Sequence, residues 1–334
     1  MYYSNKMNLL SDMFGDSDLK LDESSLYVSG RRYPIVDDVI ILLPYEQIPL
    51  SVKSRINGDS SVEIQEEISH ISQDIQYSFG EEWKQYNKVL PEHESEFKQY
   101  FDIVNLDDLK GKRVCDLGCG IGRWSYFLKE NVNELVLIDF SESIFEARKN
   151  LSSSDNTVFF MADILNLPFR ENAFDFIYSL GVLHHIDEPA LDSVRKLSVL
   201  GDQFLVYLYY SLDNRGVLYK GMFGMVNIIR KTVCSIKNTH IRTIITEMLM
   251  WSCYLPFILL GNIMSTIRLN TDKLPLYSFY GGMSNKRIRQ DVYDRFFTSI
   301  EQRVSKNEIK ELRDTFSSIR ISEKQPLWHA LLTK

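Results

Sequence analysis

KRVCDLGCGIGRWSYFL, residues 112–128, is the stretch on which the reading of this chain turns. Val114, Cys115 and Leu117 form a short apolar strand with Asp116 at its end, Gly118, Gly120 and Gly122 follow at alternate positions, and the chain re-forms as a helix through Leu128. Glycine is required where a backbone must turn sharply and lie against a ligand. A G-x-G-x-x-G loop marks a dinucleotide pyrophosphate held on a helix N-terminus. Here the pattern is D-x-G-x-G-x-G, and the acid two residues before the first glycine presents a carboxylate and backbone amides to a small zwitterion. A phosphate-binding loop and a purely structural glycine turn both stay open on this motif alone.

Three further segments narrow the choice. ELVLIDFSES (134–143) is a second apolar strand ending at Asp139, which lies 19 residues beyond Gly120. An acid at about that distance accepts ribose hydroxyls in more than one class of nucleotide enzyme, so Asp139 signals a nucleoside without saying which. VFFMADILNLPF (158–169) places Asp163 and Ile164 after a third strand, and ENAFDFIYSLGVLHHIDEP (171–189) reads as a fourth strand and its turn. Together, in this order and spacing, the four segments resemble the class I S-adenosylmethionine (SAM) dependent methyltransferases over residues 105–211.

That resemblance implies a set of cofactor residues. The glycine loop would cradle the methionine part of SAM, Asp139 its ribose and Asp163 the adenine amino group, with Ile164 and His184 as pocket walls, and Asp116, Gly118, Gly120, Gly122, Arg123, Trp124, Phe140 and Leu180 complete the cofactor-binding set. It also implies an in-line displacement, in which the protein contributes mainly position and desolvation. A hydroxyl acceptor must in addition lose a proton, and histidine is the usual base near neutral pH. His185 is the candidate base, with His329 as a second.

Strands and helices alternate through Leu212, which predicts an α/β, doubly wound parallel sheet with ligands at the carboxyl ends of its strands, and the resemblance implies that this is a Rossmann-like seven-stranded sheet. DQFLVYLYYS (202–211) is the fifth strand, and Tyr210 near its end with Asn214 and Arg215 beyond it are acceptor-side candidates. KNEIKELRDTF (306–316) reads as the last helix, and SSIRISEK and PLWHALLTK (317–324 and 326–334) as strands six and seven. The expected divisions are an accessory β-rich region (1–70), lid or linker helices (71–104), the SAM-binding core (105–212), a helical insertion capping the substrate (213–300) and the closing elements (301–334).

Outside the core, SSLYVSGRRYPIVDDVIILLP (24–44) reads as two or three short strands. It resembles a segment of small zinc-ribbon proteins that accompany methyltransferases, but no cysteine precedes Cys115, so thiolates cannot hold zinc there. A cover for one end of the domain, or a surface for a homodimer, is expected instead. YSFGEEWKQYNKV (77–89) resembles the lid helix that precedes the glycine loop in many small-molecule methyltransferases, with Trp83 and Tyr86 on one face; plain core is the alternative. DVYDRFFTSIEQRVSKNEI (291–309) resembles a late segment of bacterial methyltransferases from surface-polysaccharide and glycan pathways, with Ser299 where that pattern has proline. It makes Tyr293 and Arg295 substrate candidates, and an ion-paired helix surface is the plainer account.

Composition sets limits. The 334 residues are 44% hydrophobic and 25% charged, with a net charge of −7 that argues against a nucleic-acid partner. Cysteines 115, 119, 234 and 253 form no CxxC pair and no zinc spacing, so no metal site is expected. Reduced thiols and an N-terminus without signal-peptide pattern suggest a cytoplasmic setting. Asn214–Thr246 carries six Lys and Arg and no acid, so the remainder sums to −13. Met248–Ile267 is 20 residues without charge, a membrane candidate by length. A crossing would strand the last two strands on the wrong side, so a buried helical pair is expected. The alternative is a membrane-touching hairpin, with peripheral inner-membrane contact through 214–267.

The function expected is methyl transfer from SAM, leaving S-adenosylhomocysteine, to a hydroxyl of a small-molecule or glycan-type acceptor, including nucleotide- or lipid-linked ones. An RNA-modifying methyltransferase and a non-catalytic SAM-binding scaffold are the alternatives.

Overall fold

A computed structural model describes residues 1–58, 76, 80, 86–214, 217–236, 238–271, 274, 276–298 and 300–334. They divide into two compact units, the first comprising Met1–Asp213 with Ile300–Lys334 and the second Asn214–Ser299.

The first unit is built on one sheet of eleven strands: β1 (Lys20–Leu21), β2 (Ser25–Val28), β3 (Arg31–Val36), β4 (Val39–Ile41), β5 (Arg113–Leu117), β6 (Glu134–Asp139), β7 (Thr157–Met161), β8 (Phe176–Leu180), β9 (Gln203–Tyr207), β10 (Ser318–Ile321) and β11 (His329–Thr333). Their spatial order is 1-2-3-4-7-6-5-8-9-11-10. Strands β7, β6, β5, β8 and β9 run parallel, and β11 enters antiparallel between β9 and β10. Numbered from the glycine-loop strand, the last seven positions read 3-2-1-4-5-7-6, a doubly wound order whose reversal point lies between β5 and β8.

The strand sequences explain why the sheet is covered on both faces. Apolar residues run continuously rather than alternating with polar ones, as a doubly buried parallel sheet requires. On β6, Val136 and Ile138 pack on one face with Ile40, Phe160 and Ile177, while Leu135 and Leu137 pack on the other with Ile41, Phe159 and Tyr178. The flanking helices are α1 (Met7–Phe14), α2 (Leu50–Asn57), α3 (Glu92–Tyr100), α4 (Arg123–Leu128), α5 (Ser143–Asn150) and α6 (Ala190–Leu197).

The N-terminal region is β-rich and joins the core sheet, because β4 pairs in parallel with β7 through Ile40↔Phe160 and Ile41↔Met161. The hairpins β1–β4 therefore prolong the central sheet. Helix α1 is tied to the same sheet: Lys6 Nζ donates to the Thr157 carbonyl at 2.9 Å, and Asp12 accepts from Arg113 at 2.6 Å and Arg170 at 2.9 Å. Burial pushes the Lys6 ammonium down to about 8.

The second unit is helical. It contains α7 (Val217–Val233), α8 (Thr239–Leu249), α9 (Leu255–Thr266), α10 (Tyr277–Tyr280) and α11 (Asn285–Phe297); a π turn, Met250–Tyr254, joins α8 to α9. The buried helical pair expected over 248–267 is not what forms. Residues 239–266 make one long helix, and Met248, Trp251, Leu259 and Ile263 are exposed on it. The chain then returns to the first unit through α12 (Lys306–Glu311), which opens on a capping box between Ser305 and Glu308.

Candidate cofactor and acceptor site

The glycine loop lies at the carboxyl edge of β5. Gly118 has φ +79°, and a Cβ there would stand 2.4 Å from Val182 Cγ1, so both conformation and space demand glycine. Gly122 has φ +72°, and its Cβ would meet Leu151 Cδ1 at 2.7 Å. The loop is braced from β6, where the Ile138 carbonyl accepts from the amides of Gly118 at 2.8 Å and Cys119 at 3.0 Å. From the end of α5, Asn150 Nδ2 donates to the Ile121 carbonyl at 3.0 Å.

Asp139 sits beside this loop. Its Oδ2 accepts from the Gly120 amide at 2.8 Å, and its Oδ1 accepts from the Ser141 amide at 2.8 Å and the Ser141 hydroxyl at 2.7 Å. An ionised carboxylate offers about four acceptor positions, so these three bonds orient it and leave capacity for one more donor. Phe140 is half-buried next to it, and its carbonyl accepts from Gln76 Nε2 at 2.7 Å. Asp163 follows β7, where its carboxylate accepts from the Leu165 amide at 3.0 Å and from Asn166 Nδ2 at 2.6 Å; Ile164 and Leu180 are buried. Two carboxylates, an aromatic ring and aliphatic walls thus share the carboxyl edge of one parallel sheet, and they fit an adenosine.

Asp116 is turned differently from the expectation. It is buried, and its Oδ2 accepts from the Ser125 hydroxyl at 2.8 Å and the Tyr178 hydroxyl at 2.9 Å. Burial raises its pKa from 3.8 to about 7, although both hydroxyls oppose the rise. It is a titrating group beneath the loop. Trp124 is likewise engaged in packing, with its ring 5.2 Å from Tyr100, 6.0 Å from His93 and 4.5 Å beneath the Arg123 guanidinium.

The family comparison agrees with this arrangement, since residues 114–198 match the profile described as a methyltransferase domain. Residues 114–198 are a class I SAM-dependent methyltransferase domain. Over 100 residues the chain is 37% identical to wheat phosphoethanolamine N-methyltransferase 1, covering 28% of this chain and 20% of that protein. Over 109 residues it is 31% identical to mouse probable tRNA methyltransferase 9B, covering 31% of this chain and 23% of the relative. The matched stretch thus spans about a fifth of the length of these relatives. Among solved structures, magnesium protoporphyrin IX methyltransferase from Synechocystis PCC 6803 with bound SAH aligns at 14% identity and a TM-score of 0.38, over 80% of this chain and 88% of that one.

The turn after β8 carries His184 and His185, both buried. His185 Nδ1 lies 2.6 Å from the Ile300 carbonyl, which can only accept, so Nδ1 carries a proton and the bond selects the tautomer whose basic nitrogen is Nε2. His184 stacks on Tyr209 with ring centroids 3.9 Å apart, and burial holds its pKa well below 6.5, so it stays neutral. Neither His184 nitrogen has a hydrogen-bond partner among the described residues. In His329, the second candidate base, Nδ1 lies 2.7 Å from the Pro326 carbonyl and Nε2 2.7 Å from the Asp102 carboxylate, so both ring nitrogens are engaged within the fold.

The turn is pinned by Gln302, which the sequence did not reveal. Its amide nitrogen donates to the carbonyls of Ile186 at 2.8 Å and Glu188 at 2.6 Å, its Oε1 accepts from the Ala190 amide at 2.9 Å, and its backbone N–H donates to the His184 carbonyl at 2.9 Å. A single glutamine in a polar stretch carries no periodic signal; only its place just after the 213–300 insertion hinted that it returns to the sheet.

The remaining candidates are dispersed. Tyr210 is half-buried near Trp328, and its carbonyl accepts from Arg303 at 2.9 Å. Tyr86 is buried and Asn214 exposed. Tyr293 is buried inside the second unit against Phe297, and Arg295 belongs to that unit also, hydrogen-bonded to Tyr254. Trp83 and Arg215 lie outside the described residues.

Proposed function

We propose that this protein moves a methyl group from SAM to a hydroxyl of a small-molecule or glycan-type acceptor. The observation that favours a hydroxyl is the His185 Nδ1 bond to the Ile300 carbonyl, which orients the ring and selects the tautomer whose basic nitrogen is Nε2. An amine acceptor already has a free lone pair near its own pKa and needs no such base; an alcohol does. Asp139, Phe140, Asp163 and Ile164 would hold the adenosine, and the loop from Gly118 to Gly122 the amino-acid end. When bound, SAM supplies an activated methyl on a sulfonium. Everything else is orientation: Gln302 fixes the histidine turn, and buried His184, kept neutral, brings no positive charge towards the sulfonium.

Labelled methyl-SAM offered with a panel of hydroxyl and amine acceptors tests this reading. Label should pass to hydroxyl acceptors, and His185→Gln should lower kcat at least about 100-fold with SAM affinity unchanged. Transfer to amines alone, or full activity in His185→Gln, would contradict it.

A further inference from the structure

The second unit differs in charge from the rest of the protein. Residues 214–299 hold twelve Lys and Arg against four Asp and Glu, a balance of +8 in a chain of net −7, so the remainder carries −15. Its long helix, Thr239–Thr266, is apolar on two sides, and only one of them is covered. Arg242, Thr246, Met250, Tyr254 and Ile258 recur at steps of four and are buried within the unit. That flank is fixed by ion pairing of Glu247 with Arg289, by the Arg242 guanidinium 5.2 Å over the Phe297 ring, and by Tyr254 packed 5.4 Å from Tyr280.

The other flank is a stripe open to solvent. Ile244, Met248, Trp251, Leu259, Ile263 and Ile267 are each 57–65% exposed. At about 100° per residue, the eight residues from Trp251 to Leu259 would overshoot two turns by about 80° and swing the second half of the stripe aside. The π turn Met250–Tyr254 takes up one extra residue and brings the two halves back into line. Exposed apolar side chains aligned over most of the helix call for an occupant.

Charge decides which occupant. A second copy of the chain seated on this stripe would bring two units of +8 together. A nucleic acid offers phosphates but no apolar partner for the six exposed side chains of the stripe. A membrane crossing would draw Arg242, Glu247 and the Arg287- and Arg289-bearing helix α11 into hydrocarbon. An anionic bilayer surface satisfies both observations: apolar side chains enter the boundary between headgroups and acyl chains, while exposed Arg268, directly after Ile267, meets the phosphates.

We propose that the second unit docks on anionic lipid membranes, with helix 239–266 lying in the interface plane along its exposed stripe. This does not depend on methyl transfer. The full-length protein should float with vesicles of phosphatidylcholine containing about a third phosphatidylglycerol, should bind pure phosphatidylcholine far more weakly, and should be released by salt. Brominated lipid should quench an emission that disappears in Trp251→Phe. Ile263→Glu should lower partitioning at least about tenfold and Arg268→Glu about fivefold or more, both with unchanged thermal unfolding because both sites are exposed. Four results would overturn the proposal: failure to float with anionic vesicles, no quenching of Trp251, resistance to salt or alkaline extraction as an integral protein shows, or an Ile263→Glu variant that floats normally but loses a dimer in sedimentation.

Discussion

Asp116→Asn is expected to gain on the wild type in stability by up to about 4 kcal/mol as pH rises from 4 to 8, because burial lifts this acid from 3.8 to about 7 in the fold. The sign follows from proton binding. Below pH 4 the acid is protonated folded or unfolded and contributes nothing. Between 4 and 7 the unfolded chain releases the proton while the native protein keeps it, so stability falls with pH; above 7 the full cost of an ionised buried carboxylate remains. Asparagine keeps an acceptor oxygen for Ser125 and Tyr178 without that cost. Urea unfolding of both proteins across this range measures the effect. A stability difference that does not change with pH would show that Asp116 is ionised throughout.

Gly118→Ala should act on both halves of the site. At φ +79° a Cβ is strained, and at 2.4 Å from Val182 Cγ1 it cannot be accommodated without moving the segment that carries His184 and His185. Together the conformational and steric costs come to roughly 2–4 kcal/mol, with cofactor affinity reduced at least about tenfold. The double variant Gly118→Ala/Val182→Ala should recover the steric part, roughly half, because the opposing methyls are gone while the left-handed backbone stays unfavourable. Additive losses in the double variant would mean that the two segments are not in contact as described.

Much of this architecture is written locally. The glycine loop, Asp139 at its 19-residue distance and the apolar strands are each readable because strand period, loop chemistry and spacing agree over short distances. What escaped depended on residues far apart in the chain. The inward turn of Asp116 is set by Ser125 nine positions on and Tyr178 sixty-two positions on, and no local pattern reports that these hydroxyls converge. The parallel pairing of β4 with β7 rests on three apolar residues, Val39 to Ile41, too few to name a partner strand. The bond between His329 Nε2 and Asp102, 227 residues away, has no local signal either. Residues 248–267 are apolar all round, so periodicity could not say which flank is covered; the partners on α11 and the π turn decide it.

The most direct test is calorimetric titration of the wild type and Asp139→Ala with SAM, S-adenosylhomocysteine and NAD, with thermal unfolding recorded for both proteins. The carboxylate that braces Gly120 and Ser141 and keeps one acceptor position open should make binding of both adenosyl ligands depend on Asp139. Binding to the wild type with no response to NAD, lost in a folded Asp139→Ala, is the predicted result. A wild type silent towards SAM and S-adenosylhomocysteine, or a folded Asp139→Ala that binds them undiminished, would contradict the account at its centre.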